Sequence, residues 1–124
     1  MLMSNPAFLE VTALSTQLRQ FADERHWGQF HSPKNLVMAL TGEVGEINEI
    51  FQWLSEDASR GAAQHPDTAE AVRHELADVM MYLVRLADVL QVDLNQAVAE
   101  KLTLIEARYP INKSHGSSMK YDKI

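Results

Sequence analysis

The chain has 124 residues, 46% hydrophobic and 23% charged, which is the size and make-up of a single globular domain. Eleven Lys and Arg against seventeen Asp and Glu give a net charge of −6, which argues against a nucleic-acid partner held by a basic face. The lack of cysteine excludes disulfides, zinc–thiolate sites and cysteine nucleophiles. No apolar run approaches the ~20 residues of a membrane span, and MLMSNPAFLE lacks the basic-then-apolar order of a signal peptide, so a cytoplasmic protein without a membrane partner is expected.

Apolar residues recur with helical spacing throughout, and no segment alternates as a strand would. Asn5-Pro6 reads as an N-cap followed by proline at the first helical position, predicting a helix to about Glu24. Ser32-Pro33 repeats that signature and predicts a second helix to about Leu54. A polar stretch follows from Glu56 to Pro66, with Gly61 and Pro66 as breakers. Asp67 with Glu70 resembles a capping box and predicts a third helix ending near Gln91. Asp93 with Gln96 marks a fourth, ending at Tyr109 because Pro110 disfavours a helical residue before it. The expectation is an all-α four-helix bundle over residues 1–110 and a tail over 111–124. That tail holds Lys113, Lys120 and Lys123 against Asp122, a net +2, which leaves −8 on the rest of the chain. Its composition favours a disordered polar tail, with a basic segment that closes over an anionic ligand as the alternative.

The acids of the second and third helices fall in unexpected places. At about 100° per residue, Leu36, Leu40, Val44, Ile47, Ile50, Phe51 and Leu54 form one apolar arc. Glu43 lies inside it and Glu46 at its edge. On the third helix Val72, Val79, Tyr82, Leu83, Leu86 and Leu90 form the arc, with Glu75 inside and Asp78 beside it. An i,i+3 acid pair is ordinarily a solvated face. Two such pairs set within apolar arcs are costly unless neutralised. Protonation, a Lys or Arg partner, or a divalent cation would do it, and the basic residues of these helices are Lys34, Arg73 and Arg85. Oxygen donors without cysteine suit Mg²⁺ or Mn²⁺. Di-iron bundles bring Glu-x-x-His pairs, which this chain lacks. Carboxylate-held Mg²⁺ is the usual arrangement for chemistry on phosphates, and no Walker or dinucleotide glycine motif is present.

GEVGEINEIFQW (Gly42 to Trp53) followed by ELADVMMYLVRLAD (Glu75 to Asp88) closely resembles the all-α nucleoside triphosphate pyrophosphatases, which include MazG proteins and dimeric dUTPases. FADERHWGQFHSPKNL (Phe21 to Leu36), RYP (Arg108 to Pro110) and GSSMKY (Gly116 to Tyr121) are similar to the small dCTP pyrophosphatase branch. The resemblance implies Mg²⁺-dependent cleavage between the α and β phosphates, to a nucleoside monophosphate and pyrophosphate. It implies Glu43, Glu46, Glu75 and Asp78 as metal ligands, with Glu46 also orienting or deprotonating the attacking water. It implies Trp27, Trp53 and Tyr82 around the nucleoside, where stacking is worth ~1–3 kcal/mol per base; His31 reads first as a structural residue, with contact to substrate as the alternative. Lys101, Arg108 and Lys120 are implied at the triphosphate. Leu18 and Ile105 depart from the branch, standing where members carry histidine and asparagine, which weakens any transfer of base preference.

The third helix is apolar on nearly every side, through Val79, Met80, Met81, Val84 and Ala87 as well as its main arc. Three other short helices can hardly enclose it, so a homo-oligomer is expected. The resemblance implies a tetramer whose pockets a neighbouring subunit completes. The rival readings are a non-catalytic helical oligomer whose buried acids pair with Arg or Lys across subunits, and a dUTPase-like enzyme.

Overall fold

The computed structural model describes residues 6–124, and every regular element among them is helical. The described chain divides into two compact units, Val11–Val92 and a second formed by the segment up to Glu10 with Asp93–Ile124.

In the first unit α1 spans Thr12–Glu24, a 3₁₀ turn follows at Trp27–Phe30, and α2 spans Pro33–Phe51. A short α3 spans Glu56–Arg60 and α4 spans Ala69–Leu90. The second helix opens where Ser32-Pro33 predicts. The Ser32 hydroxyl accepts from the Asn35 N–H at 3.2 Å, satisfying one of the donors that a helix start leaves open. The helix stops at Phe51, three residues before the expected end, and Gln52 and Trp53 form a turn closed by the Leu54 N–H donating to the Phe51 carbonyl at 2.9 Å. Ser55 then caps α3 by accepting from the Ala58 N–H at 3.1 Å. Glu56 and Asp57 in the first turn and Arg60 in the last complement the helix dipole, which is why the polar stretch between the long helices holds a helical turn.

α4 begins at Ala69, not at Asp67. The Thr68 hydroxyl, at the N-cap position, donates to the Ala62 carbonyl at 2.6 Å and does not cap the helix, and the Asp67 N–H donates to His65 Nδ1 at 3.1 Å in the turn before it. It ends at Leu90, where Gln91 takes the left-handed conformation, φ 57°. α2 packs along α4, and α1 packs on α4 as well. Ala22, Leu36, Ala62, Val72, Val84 and Ala87 form the buried core. Burying a side chain such as Leu36 is worth roughly 1.5–3 kcal/mol. The expected arcs need correction here. Val84 and Ala87, placed outside the arc of their helix, are buried, whereas Leu83 and Val44, placed inside, are 38% and 50% exposed. The projection assumes one packing partner, and α4 has two.

In the second unit α5 spans Leu94–Arg108, capped by Asp93 accepting from the Gln96 N–H at 3.0 Å, as its sequence predicts. The expected cap at Asn5 lies outside the described residues, but Pro6 does not open a helix. The Asn95 amide donates to the Pro6 carbonyl at 2.9 Å and accepts from the Leu9 N–H at 2.9 Å, so these backbone groups are spent on α5 instead of a helical ladder. The tail carries a helical turn, α6, at Ile111–Ser114 and a 3₁₀ turn at Tyr121–Lys123. Tyr121 meets Tyr109 edge-on at 6.0 Å, with the Arg108 guanidinium 4.7 Å above its ring. No helix among the described residues is long and apolar enough to cross a membrane.

Candidate functional site

Because α2 lies along α4, the two acid pairs converge. Glu43 of α2 and Glu75 and Asp78 of α4 each place a carboxylate oxygen within 4.8 Å of the others, and all three are half-buried. Glu46 is exposed, yet its carboxylate acts on both glutamates. Hydrogen bonding to Glu46, burial, and the bond and charge of Glu43 push Glu75 from an ordinary 4.5 to about 7. Burial, then Glu46 and Asp78, push Glu43 up as well. Glu43 Oε2 and Glu75 Oε2 are both shielded from solvent without a hydrogen-bond partner. Crowded carboxylates of this kind must share protons or take a counter-charge. The ion pairs among the described residues, such as Arg19 with Asp88 and Arg60 with Asp57, do not reach them. Orphaned, mutually close oxygens with neither sulfur nor nitrogen among them fit a hard divalent cation.

Beside the cluster lies a cleft of about 490 Å³, a size typical of sites for small organic ligands. Glu43 and Asp78 form its acidic wall. Leu14, Leu18 and Phe21 of α1, Trp27 of the 3₁₀ turn, and Met81 and Tyr82 of α4 supply apolar and aromatic surface. His26 in the left-handed conformation (φ 55°) turns the chain out of α1 and places Trp27 edge-on to Phe21, with ring centres 5.5 Å apart. His31, Arg85 and Gln17 complete the lining.

The sequence profile of the MazG-like family matches residues 39–124, a span that includes Glu43, Glu46, Glu75 and Asp78. The chain belongs to the MazG-like family. It is 49% identical to the dCTP pyrophosphatase 1 of Mus musculus over 102 residues, 82% of this chain and 60% of that protein. It is 43% identical to the dCTP pyrophosphatase 1 of Bos taurus over 118 residues, 95% of this chain and 68% of that protein. The chain thus spans about three fifths of the mouse protein's length. The crystal structure of a pyrophosphatase from Archaeoglobus fulgidus superimposes with a TM-score of 0.75 at 34% identity, covering 89% of this chain and 99% of that one.

In this MazG-like chain Trp53, Lys101, Arg108 and Lys120, also implied by resemblance, are not among the residues that line the cleft. Trp53 sits in the turn after α2, 85% exposed. Lys101 is exposed on α5, Arg108 ends that helix beneath Tyr121, and the exposed Lys120 precedes the final 3₁₀ turn, all in the second unit. Leu14, Gln17, Phe21, Met81 and Arg85 line the cleft, and the sequence did not assign them to the site. The first three share with Leu18 one helical face of α1, a signal that i, i+3, i+4, i+7 spacing carries. Nothing in the local sequence marks Arg85, because its partner His31 is 54 positions away.

Proposed function

We propose that this chain is a divalent-cation-dependent nucleoside triphosphate pyrophosphohydrolase, using Mg²⁺ or Mn²⁺ and releasing a nucleoside monophosphate and pyrophosphate. The observation that carries the reading is the Glu43–Glu75–Asp78 cluster, with two buried unpartnered oxygens, on the wall of an aromatic cleft. Glu43, Glu75 and Asp78 would hold the cation, with Glu46 as a fourth ligand. A cation bound there neutralises phosphate oxygens and the charge that develops on them. Glu46, exposed and in contact with the cluster, is the carboxylate to orient or deprotonate the attacking water. Trp27 and Tyr82 offer aromatic surface to the base, and His31 a polar atom. The names of the relatives and the apolar cleft support dCTP or a related pyrimidine as substrate. Lys101, Arg108 and Lys120 supply positive charge for the triphosphate, the segment 111–124 acts as a basic closing tail, and Trp53 completes the pocket of a neighbouring subunit in a tetramer. The compartment we assign is the cytoplasm.

The test is a panel of nucleoside triphosphates with Mg²⁺, dCTP, dTTP and dUTP among them, with products followed by chromatography. Monophosphate and pyrophosphate are expected, fastest from dCTP; orthophosphate in place of pyrophosphate refutes the bond assignment, and preference for dUTP moves the chain to the dUTPase-like reading. Glu46→Ala and Asp78→Ala are expected to lower turnover about a hundredfold or more with the helical signal intact, as loss of a preorganised charge does. Unfolding of both variants, in a protein that never turns over, is the outcome belonging to a non-catalytic oligomer whose acids are structural.

A further inference from the structure

Arg85 is a buried charge that the function proposed above leaves unused. Its side chain is 10% exposed, on the face of α4 that meets the cleft. Its Nε donates to His31 Nδ1 at 3.0 Å, and its Nη1 donates to Asp88 Oδ2 at 3.3 Å. Asp88 is held in turn by Arg19 of α1, whose Nε donates to Oδ2 at 3.0 Å and whose Nη2 donates to Oδ1 at 2.6 Å. The chain Arg19–Asp88–Arg85–His31 therefore runs from the surface of α1 to the cleft.

A guanidinium carries donors only and keeps its protons at any working pH. Nδ1 of His31 must then be an acceptor. A ring accepting at Nδ1 is neutral and carries its single proton on Nε2. Burial and the positive charge of Arg85 both lower the affinity of the ring for a second proton. Trp27 packs edge-on to the same ring, with centres 6.2 Å apart, so its plane is held as well as its tautomer.

We propose that Arg85 is a positioning residue that locks His31 as the Nε2–H tautomer, so that the cleft offers one fixed hydrogen-bond donor to an acceptor atom on the base of the nucleotide. This rests on the nucleotide reading and deepens it. A ring free to exchange tautomers could serve a donor or an acceptor on the ligand. A locked ring serves only an acceptor, and a base presenting N–H at that place leaves two donors opposed, which a buried site rejects.

The experiment is long-range ¹⁵N–¹H correlation of the His31 ring in the full chain, near neutral pH. A protonated Nε2 and a bare Nδ1 are expected in one tautomer; an Nδ1–H tautomer or an imidazolium in the unaltered protein overturns the proposal before any variant is made. Arg85→Met is expected to give a tautomer mixture, and Arg85→Lys, which keeps a donor, to restore much of the locked form; an unchanged spectrum in a folded Arg85→Met refutes the locking. The ligand arm adds deoxycytidine monophosphate and follows the His31 ring and the Trp27 indole. Movement of both supports the donor role. Movement of Trp27 alone sinks the proposal and spares the nucleotide reading, and movement of neither sinks both. In turnover of dCTP, His31→Phe is expected to raise KM about three- to tenfold, the worth of one hydrogen bond, with kcat nearly unchanged. A fall in kcat at constant KM contradicts a binding donor.

Discussion

Glu75 is the residue whose chemistry depends most on what surrounds it. Its carboxyl is held at about 7 instead of 4.5, so between those values the folded chain keeps a proton that the unfolded chain has released. Stability then falls as pH rises, because the folded state binds more protons. Asp88 runs the other way. Its hydrogen bond from Arg19 lowers its pKa, so its contribution is complete above the ordinary carboxylate range and is lost as acid passes through its folded value. With a chelator present, the thermal midpoint is expected to decline from roughly pH 5 to roughly pH 8, the window set by Glu75. Mg²⁺ or Mn²⁺ added at the upper end is expected to restore it, since a ligand that binds only the folded state stabilises that state. Scanning calorimetry across that range checks this, and a flat midpoint that ignores the cation would count against the cluster as a cation site. The acids were legible in the sequence because a carboxylate inside an apolar arc contradicts its surroundings within one turn of helix. Arg85 was not, because its meaning lies in His31 and Asp88, brought together only by the fold.

At the scale of elements, the pairing of α2 with α4 makes the site, and the start of α2 fixes where Glu43 falls on it. Ser32-Pro33 sets that start: the proline has the helical φ built in and the serine accepts the Asn35 N–H. Ser32→Ala is expected to cost about 0.5–2 kcal/mol, the usual worth of a helix cap. Chemical denaturation checks this, and a change below a few tenths would mean that packing of Leu36 alone sets the helix start. Caps made by one side chain on its own turn, Ser32 and Asp93, were readable from sequence. Ends decided elsewhere were not. Pro6 fails to start a helix because Asn95 takes its carbonyl and the Leu9 N–H, and α4 starts past Asp67, its N-cap Thr68 turned to the Ala62 carbonyl six residues back. Each miss is a local signal outbid by a contact outside its own turn.

At the scale of the molecule, the net −6 is compatible with a polyanionic substrate because the acids are unevenly placed. Glu43, Glu75 and Asp78 converge on one wall of the cleft, where a divalent cation would reverse the local sign. The same unevenness applies to apolar surface. Val37 and Val44, two turns apart on one side of α2, are 48% and 50% exposed, and Met38 and Leu76 are 63% and 56% exposed. Scattered exposed side chains need no explanation, but four large ones on the two helices that carry the site are apolar surface left to water. The fold covers α4 with α2 and α1 and leaves these side chains bare within one chain. A second copy of the chain would cover it. Size-exclusion chromatography with light scattering is therefore expected to give a multiple of 14.0 kDa, four-fold if the tetramer holds. Met38→Lys, which sets a charge at the most exposed of these positions, is expected to shift the population towards smaller species while leaving the helical signal unchanged. A mass of 14.0 kDa for the unaltered chain at micromolar concentration would refute the assembly. It would also leave Trp53 without the neighbouring pocket assigned to it.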